Sequence, residues 1–191
     1  MISSGVIVKV IYETKLDPDK PYIYCPNHTS YLDVPLLRVV LPGYYHYMGK
    51  VELLKNFFFG IFFRTMDIPV DRSSIMSAHR AFVRAGEDLD KGVGVVMFPE
   101  GSITDDVPNL SEFKPGPFRL AIKHNVPIVP ITIIDNWKIM PDNKPLQGRP
   151  GVSRIIVHEP IDCTEFGKDD IERLSDMVYN KLNDTLKRYG N

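Results

Sequence analysis

Apolar positions recur along this chain at two spacings, and each spacing predicts its own kind of element. Val6–Tyr12, VIVKVIY, has the β-branched character of a strand. Leu16–Pro21, LDPDKP, reads as a turn, and Tyr22–Cys25 as a second, short strand. Ser30 stands in the N-cap position of a helical pattern over Tyr31–Leu41, which Pro42 and Gly43 close. Tyr44–Met48 predicts a third strand, Val51–Met66 one or two apolar helices, and Ile68–Val70 another short strand. Ile75, Ala78, Phe82, Ala85 and Leu89 recur at three and four and predict an amphipathic helix over Ser74–Leu89. Gly92–Phe98, GVGVVMF, is apolar throughout, as in a strand buried on both faces. After a long loop, Pro99–Pro115, come a short helix at Gly116–His124 and strands at Ile128–Ile134 and Arg154–His158. A closing helix over Lys168–Tyr189 carries Ile171, Leu174, Val178, Leu182 and Leu186 on one face. Pro127 opens and Pro130 interrupts the Ile128–Ile134 strand; both lack a ladder donor, which predicts a place near a sheet edge or bulge.

Strands alternating with helices imply an α/β fold: a single-domain αβα sandwich over residues 1–191, its sheet mixed and largely parallel, with antiparallel pairing where strands follow closely. No internal repeat or low-complexity segment interrupts it. In such sheets chemistry gathers beyond the strand ends. Two segments stand there: Pro26–Tyr31 and Pro99–Thr104.

Composition fits a globular domain, with 43% apolar and 25% charged residues and a net charge of −1. The charge is unevenly spread. Arg38–Arg84 holds seven Lys/Arg against three Asp/Glu, whereas Ala85–Asn191 holds thirteen against seventeen. A basic segment on a near-neutral chain suits a local anionic surface or substrate better than a long polyanion, so no nucleic-acid partner is expected. The two cysteines, Cys25 and Cys163, have no metal spacing and read as reduced, partly buried thiols; no metal site is expected. MISSGVIVKV has no basic leader and enters a strand at once, so a natural N-terminal membrane segment is expected to precede it. The longest apolar run, FFFGIFF at Phe57–Phe63, falls far short of the roughly 20 residues that span a bilayer.

Chemistry is first suggested by Cys25–Asp33, CPNHTSYLD. His28 precedes the predicted helix and Asp33 lies in its first turn. If the carboxylate accepts from one ring nitrogen, the other is left as an acceptor facing outward, which makes a general base. The competing reading is a capping box, Ser30-x-x-Asp33, with His28 an ordinary loop residue. By itself the pair favours the cap.

Three further segments change that balance. Asn27–Asp33 resembles the NHxxxxD motif of the glycerolipid acyltransferases, the 1-acyl-glycerol-3-phosphate (lysophosphatidic acid) acyltransferase family. Gly60–Arg64 with Ile68–Arg72, Phe98–Ser102 (FPEGS) and Val126–Ile131 (VPIVPI) resemble its second, third and fourth blocks, in order. The resemblance runs from about Val6 to Ile134. It implies a glycerol-3-phosphate acyltransferase-like sandwich that moves a fatty acyl group from acyl-CoA or acyl carrier protein to the free hydroxyl of a lysophospholipid. The most direct product is phosphatidic acid. His28 would be the base and Asp33 its orienting group, with no cofactor beyond the acyl thioester. Backbone N–H groups near Thr29 and Ser30 would stabilise the oxyanion.

The resemblance further implies that Arg72 holds the acceptor phosphate, and that Glu100, Gly101 and Ser102 shape the acceptor site. Glu100 is expected to orient Arg72 or a glycerol hydroxyl. Val126, Pro127 and Ile128 would wall the acyl donor. The third block departs from the family at Ile103, where arginine is usual. Arg64, Lys114 or Arg119 would then compensate, or the acceptor is another lyso-lipid, such as an amino-lipid. A non-catalytic, membrane-associated lipid-binding protein of the same fold is the remaining alternative. Phe57, Phe58, Phe59, Phe62 and Phe63, flanked by Lys50, Lys55 and Arg64, are expected to touch the membrane surface from its cytoplasmic side, if they are not core.

Overall fold

The computed structural model describes residues 5–50, 68–71, 74–142 and 147–190. The strands are β1 (Val6–Tyr12), β2 (Ile23–Pro26), β3 (Tyr45–Lys50), β4 (Ile68–Val70), β5 (Gly94–Val96), β6 (Ile128–Ile133) and β7 (Gly151–Val157). The helices are α1 (Asp33–Val40), α2 (Ile75–Asp90), α3 (Gly116–His124), the single turn α4 (Asn136–Ile139) and α5 (Ile171–Tyr189), which a 3-10 turn at Lys168–Asp170 leads in.

The strands form one sheet in the order β1-β7-β6-β2-β5-β3-β4. All neighbours are parallel except β6 and β7. Five strands therefore share one carboxyl edge, and β1 and β7 run the other way. On one face, Ala81, Ala85 and Leu89 of α2, Phe118, Leu120 and Ala121 of α3, and Leu174, Val178 and Leu182 of α5 bury against Ile23, Val95 and Ile128. On the other, Val34, Leu37 and Val40 of α1 cover Tyr24, Tyr45, Tyr47 and Val129. This is the expected sandwich, because strand residues alternate between the two covered faces.

Three tyrosines fasten α1 down. Tyr47 donates to the Val34 carbonyl at 3.0 Å, Tyr45 to Leu37 at 3.1 Å and Tyr12 to Val40 at 2.6 Å. The Tyr45 and Tyr47 rings fill the core while their hydroxyls reach helix carbonyls, and Tyr12, half exposed, reaches the last carbonyl from outside. The helix that carries Asp33 is thus fixed along its length.

Three expectations need correction. The helix expected over Tyr31–Leu41 starts only at Asp33, after a turn at Tyr31 and Leu32. Ile75 and Ala78, assigned to the buried stripe of α2, are exposed; burial begins at Ala81, and Asp88 turns inward because His46 binds it. β6 is an interior strand, buried at every residue, rather than an edge. Its proline still sits at a bulge. Between the Ile128–Ile161 bridge and the Ile131–Val157 pair the antiparallel register slips by one residue. There His158 donates to the Pro130 carbonyl at 3.1 Å, and no strand needs the missing proline donor.

Candidate active site

β6, β2 and β5 are adjacent, and the segments leaving their carboxyl ends meet at one place. Asn27 and His28 follow β2, Phe98–Gly101 follows β5, and Asn136 follows β6. Asn27 is fully buried and grips the end of β6 with both amide atoms: Nδ2 donates to the Ile133 carbonyl at 3.0 Å and Oδ1 accepts from the Ile133 N–H at 2.7 Å. This carries the ladder past the strand ends and delivers the next residue, His28, to the edge.

His28 Nδ1 lies 2.9 Å from Asp33 Oδ2. An ionised carboxylate only accepts, so Nδ1 carries the proton and Nε2 is the acceptor. No described residue hydrogen-bonds Nε2. The ring stacks on Phe98, centroids 3.9 Å apart, and its side chain keeps 15% exposure while that of Asp33 has none. Asp33 Oδ2 also accepts from the Thr29 and Ser30 N–H groups, at 2.7 and 2.9 Å, and Oδ1 accepts from Asn136 Nδ2 at 2.7 Å. A buried charge with four donors is satisfied rather than stranded. The orienting geometry is present, whereas the capping box expected at Ser30 is only half formed: Asp33 Oδ2 takes the Ser30 N–H, but α1 starts at Asp33 itself, Leu32 is its N-cap, and no side chain caps it. Ser30 completes the turn by accepting from the Leu32 N–H at 3.1 Å.

The oxyanion donors expected at Thr29 and Ser30 are not free, because Asp33 occupies both N–H groups. Glu100, almost fully buried, is likewise engaged. Its Oε1 accepts from the His28 N–H at 2.8 Å, and its Oε2 from the Ser111 N–H and hydroxyl at 2.9 and 3.0 Å. Burial raises its pKa above the usual carboxylate value despite these donors. In this arrangement Glu100 holds the main chain of His28. Gly101 has φ +79°, the left-handed turn that its lack of a side chain permits, and its N–H closes on the Phe98 carbonyl at 3.0 Å. Ser102 follows, half-buried.

Other expected site residues are not gathered here. Lys114 and Arg119 have exposed side chains, although the Lys114 N–H joins the Pro99 carbonyl at 2.8 Å. Val126 and Ile128 are core residues at the amino end of β6, the end away from His28, and the Pro127 carbonyl serves the Ile23 N–H at 3.1 Å. Side chains sealed in that core do not line an open wall beside His28. Arg64, Arg72 and the Phe57–Phe63 run lie outside the described residues. Cys25 is fully buried and burial pushes its thiol far up, so it is no nucleophile. Among the described residues no cluster could hold a metal, and no helix is long and apolar enough to cross a membrane.

The sequence reading missed Asn136 and gave Asn27 no task. Asn27 stood inside the motif, but Asn136 is 103 residues from its partner and left no local signal.

Comparison with known proteins bears directly on this site. A family model described as Acyltransferase matches residues 7–134. A chloroplastic 1-acyl-sn-glycerol-3-phosphate acyltransferase of Brassica napus is 34% identical over 170 residues, 88% of this chain and 47% of that protein. The enzyme of that name from Saccharomyces cerevisiae is 30% identical over 190 residues, 97% of this chain and 62% of that one. The crystal structure of the 1-acyl-sn-glycerophosphate (LPA) acyltransferase PlsC from Thermotoga maritima superposes with a TM-score of 0.76 at 27% identity, over 94% of this chain and 71% of that one. The chain spans less than half the length of the algal and plant relatives it matches. The family match runs through both strand-end segments, His28–Asp33 and Phe98–Gly101, and on that ground the chain belongs to the acyltransferase family.

Proposed function

We propose that this chain transfers a fatty acyl group from an acyl thioester to the free hydroxyl of 1-acyl-glycerol-3-phosphate, giving phosphatidic acid. The observation that carries the reading is an imidazole whose Nδ1 is bound by buried Asp33 at 2.9 Å while Nε2 meets no described partner, at the carboxyl edge of three adjacent strands. The names borne by the relatives, 1-acyl-sn-glycerol-3-phosphate acyltransferases, favour a glycerophosphate acceptor over an amino-lipid. The intact dyad speaks against a non-catalytic lipid binder.

In this mechanism His28 Nε2 takes the acceptor's hydroxyl proton as the oxygen attacks the thioester carbonyl carbon. The tetrahedral adduct collapses, the C–S bond breaks, and the departing sulfur recovers the proton from His28 Nε2. Asp33 keeps the ring in one tautomer and stabilises the imidazolium. The thioester is already activated, so the scheme needs no resident cofactor; acyl-CoA and acyl carrier protein both serve as donors in it. Arg72, two residues past the end of β4, is proposed to bind the acceptor phosphate, with Arg64 or Lys114 supplying the charge that Ile103 lacks. Gly101 and Ser102 border the acceptor, and Glu100 holds the histidine's main chain. The Phe57–Phe63 run is proposed to meet the cytoplasmic surface of the membrane, where a two-tailed product and a lyso-lipid acceptor partition; co-sedimentation with anionic vesicles, lost on Phe58→Ser, tests this.

The central test is acyl transfer by purified, folded His28→Ala with 1-acyl-glycerol-3-phosphate and palmitoyl-CoA. Removing a general base costs on the order of 10²–10⁴-fold. A near-normal rate ends the proposal.

A further inference from the structure

A carboxylate that aims an imidazole must itself be kept from turning. Three donors converge on Asp33 Oδ2, and all come from the short segment His28–Ser30. Among the described residues Oδ1 is reached only by Asn136 Nδ2, at 2.7 Å. The Asn136 amide is in turn fixed: the Ser153 hydroxyl on β7 donates to its Oδ1 at 2.6 Å. Because Asp33 offers only acceptors, the amide nitrogen must face it, and the serine sets the other end accordingly. All three side chains belong to fully buried residues.

The amide is not needed to dock the two segments. The reciprocal Asn27–Ile133 pair already joins them, and the Ser30 hydroxyl donates to the Met140 carbonyl at 2.7 Å just past α4. What Asn136 alone supplies among the described residues is a donor to the second carboxylate oxygen. We propose that Asn136, set by Ser153, is a positioning residue that holds the Asp33 carboxylate in the orientation that aims His28 Nε2 at the acceptor hydroxyl. This rests on the general-base reading of His28. Among the described residues, the charged groups facing the imidazole are Asp33 from α1 and Glu100 from the turn after β5; Asp135, beside Asn136, is taken up by Arg154 at 2.6 and 2.7 Å.

The test uses the full chain and the variants Asn136→Ala, Asn136→Asp and Ser153→Ala. Loss of an outer partner of this kind costs about 10–100-fold. Asn136→Ala is expected to lose that much in kcat, with KM for acceptor and donor each within about threefold of wild type, as for an interaction that does not touch substrate. Its acidic limb in kcat/KM moves to lower pH, because a carboxylate that turns away from Nδ1 stabilises the imidazolium less. Asn136→Asp loses the donor as well but brings a second negative charge, so its kcat falls while its limb moves the opposite way, to higher pH. Ser153→Ala shifts both readouts in the direction of Asn136→Ala, by less. Nitrogen-15 NMR of the substrate-free protein is expected to show one Nδ1-protonated His28 tautomer in wild type and a mixture in Asn136→Ala.

A wild-type kcat, acidic limb and tautomer in Asn136→Ala overturn the proposal. So does a fall in kcat with limb and tautomer unchanged, which is the mark of a merely structural role. If Asn136→Ala does not fold, Ser153→Ala decides by the same readouts. An altered tautomer alongside an active His28→Ala sinks the general-base reading instead and leaves the positioning intact.

Discussion

Two histidine–aspartate pairs lie at opposite edges of this sheet with nearly the same geometry. His28 Nδ1 is 2.9 Å from Asp33, and His46 Nδ1 is 2.8 Å from Asp88. Both are largely buried, with His28 and His46 side chains 15% and 11% exposed. The difference lies at the other ring nitrogen. His46 Nε2 meets the Tyr44 hydroxyl at 3.2 Å, and the pair ties the start of β3 to the last turns of α2. His28 Nε2 meets no described residue and stands at the carboxyl edge, where parallel strands release their loops. Four of the five histidines here have a carboxylate oxygen within 2.9 Å of Nδ1: His28, His46, His124 and His158. A short histidine–carboxylate distance is thus ordinary in this chain. His124 Nε2 also lacks a partner, but it is buried, so what singles out His28 is an unclaimed nitrogen that opens at the carboxyl edge of the sheet.

The harshest trial of that contrast is to remove each ring in turn. His28→Ala is expected to lose acyl transfer on the order of 10²–10⁴-fold with a nearly unchanged melting temperature. His46→Ala is expected to keep its rate within about threefold but lose about 1–3 kcal/mol of stability, because buried Asp88 is left without its donor. If His46→Ala abolishes turnover at unchanged stability, the contrast is reversed. The carboxylates give a second version of the trial. Asp33→Asn puts an amide where four donors converge and frees the ring to take the wrong tautomer, an error that costs on the order of 10³–10⁴-fold in a comparable triad. Asp88→Asn is expected to lower stability by about 1–2 kcal/mol and leave kcat/KM alone. Steady-state kinetics beside thermal unfolding separates the outcomes.

What the sequence discloses of this arrangement follows from range. Val6–Tyr12 forms as its residues predict, and Ser74 caps α2 by accepting from the Ser77 N–H at 3.2 Å. Both are decided by neighbours in the chain. The His28–Asp33 contact is legible for the same reason, since a loop residue and one in the following turn meet whatever the rest of the fold does. Asn136, Ser153 and the bond from Glu100 to the His28 N–H are set by strand order, which places the ends of β6, β2 and β5 side by side. No periodicity encodes that. The same gap left β6 undecided: two prolines argue for an edge or a bulge, and only the register shows that it is an interior strand with a bulge beside Pro130. It also left Val126 and Ile128 on a presumed donor wall when they belong to the core.

A third histidine sharpens the contrast through pH. His158 is buried, its Nε2 2.8 Å from the Thr132 hydroxyl; Glu13 lies 2.9 Å from Nδ1, close enough for an ion-pair contact but not aligned as a hydrogen bond. Burial lowers its pKa below the ordinary 6.5, and outweighs the opposing pull of Glu13. A folded-state pKa below the unfolded one means that the unfolded chain takes the proton first. Stability is therefore intact above 6.5 and falls as pH drops through 6.5 toward the folded value, with a limiting slope of about 1.4 kcal/mol per pH unit. His158→Gln should flatten this part of the stability–pH curve while leaving the acidic limb of kcat/KM where it was. Urea unfolding between pH 7 and 5 tests it, and an unchanged slope would mean that another group carries the acid loss.

The smallest effect asks whether the Tyr44 hydroxyl is all that separates the second pair from the first. Tyr44→Phe takes away one partner of His46 Nε2 on a side chain that is 67% exposed, where water replaces the hydroxyl. Stability should move by no more than about 0.5 kcal/mol. Activity should not respond. In a His28→Ala background, Tyr44→Phe should restore no acyl transfer, because an imidazole at the amino edge of β3 has no Phe98 stacked on it and lies away from the turn that Gly101 forms after β5. Thiol release from palmitoyl-CoA in the presence of acceptor is the measure. Turnover regained in the double variant would show that a histidine–aspartate pair released from the Tyr44 hydroxyl is sufficient wherever it lies. Turnover absent from it leaves position at the carboxyl edge as the second requirement.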